Sequence, residues 1–529
     1  MDCNQYLEDL RSEKSLAWVA EQNERTLQEL FPSSSSPIEN EPLHAELLEV
    51  FDDKNRIPTV SVRGDFLYNF WQDEDHVKGI WRRTTWEEYK KKDPEWETVL
   101  DIDALAEKEG KSWVYKGARF LCYGPGEYRR ADRCLISLSE GGTDACEVRE
   151  FDAMEKKWVT ENPFYIPNSK HTVCWVDRDT LWVGYDYGEG TMSPSGYPLT
   201  TRKWSRGTKL EDATEIFRGE PTDVSAGGSF YYDKDEKYAM FYRMATFNDI
   251  EYYYWFEGDK DLTKVKWIAS SCRIQTFKKK VLIMPKEVWS FGGKLYKAGS
   301  LLSCDFETFV KEGNLDAVFL GAGARTVGKE PKCDIQILYE PANDRCAYEG
   351  ATDSRDYLYV SSLENLQSKI TVYRFDDATN AFILEGAHEA ENCQTFSVGG
   401  AEPNSSNALF ASSSGFLNPS TYLYSEVGGL KGIKNAQSLK SSSSWFDSEG
   451  MSVTLNEATS KDGTKVPYFL VRAKGNDENS GPKPTVLNGY GGFRINSLPS
   501  YSGSTGKAFL NHGMNFALAC IRGGGEFGP

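Results

Sequence analysis

Two glycine clusters near the end of the 529-residue chain carry the residue types best suited to chemistry. The first, Asn488-Gly489-Tyr490-Gly491-Gly492-Phe493, follows the apolar run at 485–487. Glycines let a backbone turn sharply past the end of a strand, and here they set one phenol, Tyr490, at that end. A phenol so placed could donate to an oxyanion developing in acyl transfer, a contact worth roughly 3 kcal/mol. A glycine-rich turn with a packed aromatic is the plainer alternative. The second cluster, Arg522-Gly523-Gly524-Gly525-Glu526-Phe527-Gly528, follows the apolar run at 515–521. It lacks the GxxxxGK[ST] pattern that a phosphate loop requires, so a nucleotide site is not indicated. Arg522 and Glu526 read as a packing pair flanking a tight turn.

Other candidates are sparse. His44, His76, His171, His388 and His512 stand far apart, with no HExxH or HxH spacing, so no metal or cofactor is expected. His512 precedes an apolar strand and reads as structural, and the serines around Gly503 and Gly506 read as loop. Asp177 and Asp179 are a conceivable carboxylate pair for glycoside hydrolysis, a chemistry that depends on a separation no sequence gives. The 11 cysteines include no CxxC pair, which suits free thiols in a reducing compartment and makes the cytosol the default location.

The elements that would position these residues change character twice along the chain. Residues 4–30 place Tyr6, Leu7, Leu10, Leu16, Trp18, Val19 and Leu27 near helical spacing. The Pro-Ser run at 32–37 reads as a linker, and 42–51 as a second helix. From about 59 to 439, short aromatic and β-branched runs recur between Gly, Asp, Asn and Pro turns. Examples lie at 66–71, 134–138, 180–185, 238–242, 251–256 and 357–361. A sandwich would be complete within about 100 residues, so roughly 380 residues of such strands predict a propeller, of about seven blades. A faint repeat supports this: Glu147-Val-Arg-Glu-Phe-Asp echoes Thr371-Val-Tyr-Arg-Phe-Asp. After a serine-rich linker at 438–444, a hairpin turns at Asp462-Gly463, and two apolar strands each run into a glycine cluster. Strands ending in glycine-rich loops are the mark of a mostly parallel α/β sheet with its site at the carboxyl ends.

Composition bounds the function. With 28 Phe, 28 Tyr and 14 Trp the chain can bury a large core, so it is not a disordered segment. No apolar run approaches the roughly 18 to 20 residues that span a bilayer. The net charge of -18 repels phosphates, making nucleic acid and anionic membrane poor partners.

Three motifs in order carry a resemblance. Ser460-Lys-Asp-Gly-Thr-Lys-Val-Pro, then Gly489-Tyr-Gly-Gly-Phe, then Ile521-Arg-Gly-Gly-Gly-Glu-Phe-Gly closely resemble the prolyl oligopeptidase family of serine peptidases. Tyr6-Leu-Glu-Asp with Ala17-Trp-Val-Ala-Glu-Gln-Asn is similar to that family's N-terminal helical segment. Gly79-Ile-Trp-Arg-Arg-Thr-Thr, Trp96-Glu-Thr-Val-Leu-Asp and Gly219-Glu-Pro-Thr-Asp-Val-Ser are similar to its propeller. The resemblance implies a propeller capping an α/β-hydrolase domain. Residues 1–57 would belong to the hydrolase side, 58–440 would form the propeller, and 441–529 would begin the catalytic domain. It implies acyl transfer by a Ser-His-Asp triad, with Tyr490 donating its hydroxyl to the oxyanion and Phe493 lining the pocket before the cleaved bond. The substrates would be short peptides cut after proline, since relatives that cut after basic residues usually lack the Gly-Gly-Phe ending.

One departure qualifies that expectation. None of the 46 glycines begins a GxSxG nucleophile elbow. The triad serine, aspartate and histidine are therefore expected beyond Pro529, leaving the hydrolase domain incomplete and the chain inactive as written. A non-catalytic propeller binding module with a hydrolase remnant is the alternative.

Overall fold

The computed structural model describes residues 4–9, 12–31, 38, 41–266, 268–311 and 333–529. The linker expected at 32–37 lies outside them. Side-chain alternation decides the architecture. In the strand Gln367–Asp376, Ser368, Ile370 and Val372 are buried at every second position. Tyr373 and Phe375 are buried on the other face, because Ile370 and Val372 pack with Val398 and Leu409 while Tyr373 and Phe375 pack with Phe277 and Leu282. The register irregularity between Val372 and Tyr373 lies in the partner strand Ala381–Glu389, where Glu385 is the extra residue, and leaves this alternation unbroken.

Among the described residues, seven antiparallel sheets follow one another along the chain, each built from four strands in sequence order. They span 61–101, 113–158, 172–218, 225–264, 273–339, 346–389 and 394–441; the second gains a fifth strand, Tyr165–Ser169. Each sheet is too small to bury both faces alone, so aromatic residues knit neighbours together. Trp182 of the third sheet stacks on Phe241 of the fourth at 4.7 Å, and Phe277 of the fifth meets Phe382 of the sixth at 5.1 Å. The first sheet meets the seventh in the same way. Trp86 lies 4.6 Å from Tyr424 and 5.8 Å from Phe410, and buried Tyr89 shares a cluster with Tyr422. Among the described residues no strand is shared across this contact, so side chains close the ring, Lys440 adding hydrogen bonds to the Lys91 and Lys92 carbonyls.

The turns between first and second strands gather at one end of the ring. There Lys234, with 1% of its surface exposed, binds Asp233 and Asp353, while its backbone N–H donates to Asn404 Oδ1 at 3.0 Å. Arg355 pairs with Asp235 at 2.7 Å. Turns from the fourth, sixth and seventh sheets are thus tied together by a buried charge cluster, which holds only because each charge has a partner.

The opposite end carries the C-terminal sheet, ordered Ser452–Thr459, Lys465–Arg472, Asn515–Ala519, Thr485–Asn488. The last two strands run parallel and the other pairs antiparallel. Thr395 donates to the Pro499 carbonyl at 3.1 Å, and the Tyr501 N–H donates to Ser414 at 3.0 Å, joining this sheet to the seventh sheet of the ring. The helix Pro42–Phe51 packs on the short helix Gly503–Ala508, with Lys507 bound to Glu49 at 3.1 Å. The helix Pro42–Phe51 therefore sits with the C-terminal segment.

Three local expectations need correction. The helix expected over 4–30 is a 3-10 turn, Gln5–Glu8, followed by a separate helix, Glu13–Leu30. Ser12 starts the second by accepting the Ser15 N–H at 3.2 Å, a cap that requires extended backbone. The serine run at 438–444 is only partly a linker, because Gln437–Ser441 is the edge strand of the seventh sheet, pairing with Thr421–Ser425. The serines near Gly503 belong to a helix, with Ser502 as its N-cap.

Candidate functional site

The parallel pairing of Thr485–Asn488 with Asn515–Ala519 puts their carboxyl ends side by side, Asn488 opposite Leu518. Both glycine clusters therefore emerge at the same place. Gly491 has φ 65° and a Cβ there would stand 2.6 Å from the Arg522 carbonyl oxygen. Gly523 has φ 90° and a Cβ there would stand 2.0 Å from the Gly491 carbonyl oxygen. Each position needs glycine twice over, for its dihedral and for its neighbour. The Arg494 N–H donates to the Gly523 carbonyl at 3.0 Å, so the clusters form one hydrogen-bonded unit.

Tyr490 projects from this unit with 57% of its surface exposed and no hydrogen bond from its hydroxyl among the described residues. Its ring lies over Gly492, where a Cβ would come within 2.9 Å of Cε1. Phe493 is 90% exposed. Phe493 and Arg494 hold φ of 53° and 57°, two successive non-glycine residues in the left-handed region. Such a conformation costs of order 1 kcal/mol or more per residue and persists only where surrounding contacts impose it. Beneath the strand ends lies a cavity of about 320 Å3 whose walls include Asn488, Asn496, Ser497 and Phe516.

Arg522 and Glu526 do not pair with each other, contrary to expectation. Arg522 reaches back to the 460–464 hairpin, donating to Asp462 at 2.6 Å, Thr464 at 3.2 Å and Ser460 at 3.2 Å. The Asp462 carboxyl is held down at about 2, mainly by the Thr464 backbone N–H and hydroxyl, with Arg522 adding to them. Glu526 is buried and accepts the Ser497 N–H at 2.6 Å. It anchors the segment that follows Phe493, because a buried carboxylate with an N–H donor cannot leave without orphaning both.

The propeller contributes residues that sequence reading did not single out. Asn496 donates to Glu349 Oε1 at 2.9 Å, on the inner strand of the sixth sheet, and burial pushes the Glu349 carboxyl above its usual range. Lys286 of the fifth sheet is half-buried; burial lowers its ammonium, and nearby Arg494 and Arg273 lower it further. Their sequence neighbourhoods carry no signal, since the chain separation between Glu349 and Asn496 is 147 residues.

The remaining candidates are dispersed. His512 lies 3.8 Å from Glu46 on the N-terminal helix side, largely solvent-facing. Among the described residues, none of the five histidines hydrogen-bonds a serine, threonine or cysteine side chain. Asp177 accepts the Asp179 N–H within a strand turn, and Asp179 pairs with Arg206 at 2.8 Å, so both carboxylates shape a hairpin. Among the described residues no group of three metal-ligating side chains is present, and no helix is long and apolar enough to cross a membrane.

Comparison with known proteins places this geometry. Residues 1–273 match the family model described as the prolyl oligopeptidase N-terminal beta-propeller domain. An uncharacterized peptidase of Sinorhizobium fredii is 36% identical over 535 aligned residues, covering 100% of this chain and 68% of that protein. An uncharacterized peptidase of Rickettsia prowazekii is 28% identical, covering 99% of this chain and 69% of its own length. In fold, the chain is similar to a post-proline cleaving enzyme from Rickettsia typhi, with a TM-score of 0.83 at 24% identity over 99% of this chain and 72% of that one. A propeller joined to a hydrolase-type sheet, with this likeness along its whole length, places the chain in the prolyl oligopeptidase family of serine peptidases.

Proposed function

We propose that this chain provides the propeller and the oxyanion-side loop of a serine peptidase that hydrolyses short peptides after proline. The observation that carries this reading is Tyr490, an exposed phenol without a hydrogen-bond partner among the described residues, at the carboxyl ends of two parallel strands. In acyl transfer its hydroxyl donates to the oxyanion of the tetrahedral intermediate, where negative charge appears only as the reaction proceeds. Phe493, on the same strained turn, offers its ring to the residue before the cleaved bond. The seven sheets act as seven blades over residues 58–440, and the charge cluster around Lys234 closes their far end against folded proteins. Residues 1–57 and 441–529 form the hydrolase side. A reducing compartment such as the cytosol suits the described cysteines, all free thiols.

On this reading the nucleophile, its histidine and the orienting aspartate lie outside these 529 residues, and the absence of a GxSxG elbow from the sequence supports it. The chain alone is therefore inactive. The test is a fluorogenic Gly-Pro amide, offered to this chain alone and to the chain co-expressed with the part of the Sinorhizobium fredii relative outside the alignment. Hydrolysis is expected only in the second case, and Tyr490→Phe should lower kcat there by about 10²–10³-fold. Turnover by the chain alone, an unchanged rate in Tyr490→Phe, or preference for a basic residue would each overturn the corresponding part.

A further inference from the structure

On the far end of the ring, between the turns of the first, second and seventh sheets, lies a cavity of about 450 Å3. Arg63, Tyr128 and Glu402 line it, with Phe120, Leu121 and Pro403 supplying apolar wall. Most charges around it are already matched. Arg129 binds Asp65 at 2.6 Å, and Arg130 binds Glu127 at 3.3 Å and Asp132 at 3.4 Å; Arg119 turns away to the Val173 carbonyl of the third sheet, at 2.8 Å, and like Arg63 has no carboxylate partner among the described residues.

Three groups are not matched. The Arg63 guanidinium donates only to the adjoining Val62 carbonyl at 2.8 Å and rests over the Phe120 ring, with no carboxylate partner among the described residues. The Glu402 carboxylate is half-buried, and among the described residues it makes no ion pair or side-chain hydrogen bond. The Tyr128 hydroxyl is buried with no hydrogen-bond partner. Arg63 is solvent-exposed on one side and Glu402 is half-buried, and the two line one cavity without an ion pair between them. Burial draws Arg63 down, with Cys122 and Glu402 opposing, and pushes Glu402 up, with Arg129 and Arg63 opposing.

We propose that this cavity binds a small zwitterion, a free amino acid or an unblocked dipeptide. The ligand's carboxylate sits on Arg63, its ammonium on Glu402, and its polar backbone meets the Tyr128 hydroxyl. A bidentate guanidinium–carboxylate contact and a charge-assisted ammonium contact would satisfy both unpaired groups at once. The volume falls within the range of small-molecule pockets, and the apolar wall accommodates a side chain such as that of proline. The site lies at the opposite end of the ring from Tyr490, so this inference does not depend on the peptidase reading.

The test is calorimetric titration of the full chain with L-proline, glycyl-proline, N-acetyl-glycyl-proline, glycyl-prolinamide and N-acetyl-glycyl-prolinamide. At least one of the two zwitterions should bind saturably, and blocking either charged end should weaken binding by about tenfold or more. Saturation by one zwitterion and not the other supports the site and names its occupant. Glu402→Gln and Arg63→Met should each weaken the zwitterion about tenfold or more while the thermal melt stays that of the parent. Because Glu402 makes no bond that folding needs, Glu402→Gln keeps the test open should Arg63→Met fold poorly. Absence of saturable binding of both zwitterions up to about 10 mM, or equal binding of the doubly blocked peptide, would overturn the proposal. So would affinity unchanged in folded Glu402→Gln.

Discussion

Gly523 stands against Gly491 so closely that a Cβ on Gly523 would lie 2.0 Å from the Gly491 carbonyl oxygen. This contact welds two loops that start from neighbouring parallel strands, and with them the orientation of Tyr490. Gly523→Ala should therefore cost about 2 kcal/mol or more, combining left-handed strain with a backbone clash. Gly528 has nearly the same φ, 91°, with open space at its Cβ position, so Gly528→Ala should cost only about 1 kcal/mol. Urea unfolding of both variants measures the difference, and equal losses would show that the clash is unimportant.

The division of labour between Arg522 and Glu526 is equally testable. Glu526 is 2% exposed and holds the Ser497 N–H, so Glu526→Ala should cost about 1–3 kcal/mol by orphaning a buried donor. Arg522 and Asp462 are both largely exposed, and Arg522→Ala should cost less than about 1 kcal/mol. A reversed order in chemical denaturation would mean that the two residues work as a pair after all.

Asp462 sets a pH dependence of known sign. Its carboxyl is held near 2 in the folded chain against an ordinary 3.8, so the unfolded chain binds the proton more readily. Its stabilising contribution is full above about pH 4 and fades as pH falls toward 2. The contribution is small because the group is exposed. Carbon-13 NMR of the carboxyl should show the low midpoint, and Arg522→Ala should move it only part of the way back, since Thr464 supplies the larger share.

Glu349 has the opposite sign. Burial raises its folded pKa above the ordinary 4.5, and the Asn496 amide only partly opposes this. The group favours folding in acid and loses that contribution as pH rises through the folded value. Glu349→Gln should therefore raise Tm at pH 8 by a few degrees relative to the parent, with the advantage shrinking toward pH 4. An advantage that grows in acid would contradict the assignment.

Trp86 is one of the residues that close the ring, beside Tyr89 and Lys440. Removing it takes away its contacts with Tyr424 and Phe410, the aromatic part of the seam between first and seventh sheets. Trp86→Ala should cost about 2–3 kcal/mol, below the full core value because Trp86 is only half-buried. Limited proteolysis should then cut within 61–101 or 394–441 before elsewhere. Val77→Ala, at a position 71% exposed, should change neither readout.

Local physics made much of this molecule readable from its residues. Alternation and turn chemistry announce strands such as Phe66–Trp71 and Tyr357–Glu364, since side chains of period two and Gly or Asp turns act over a few residues. The ordered glycine motifs identified the family and singled out Tyr490 and Phe493. Where one local signal was overridden, the cause was another nearby: Ser12 caps a helix that apolar spacing alone would have run through from residue 4.

Partnership was decided by the tertiary fold alone. Arg522 has an acidic residue four positions away yet binds Asp462, 60 residues back, because hairpin and loop meet at one end of two neighbouring antiparallel strands. Glu526 turns inward to Ser497, Asn496 crosses to Glu349 in the propeller, and Arg63 and Glu402 come to face one cavity from opposite ends of the ring's sequence. Spacing along a chain fixes which residues share a strand or turn. Which charges end up matched, and which are left facing an empty space, depends on where distant segments cross.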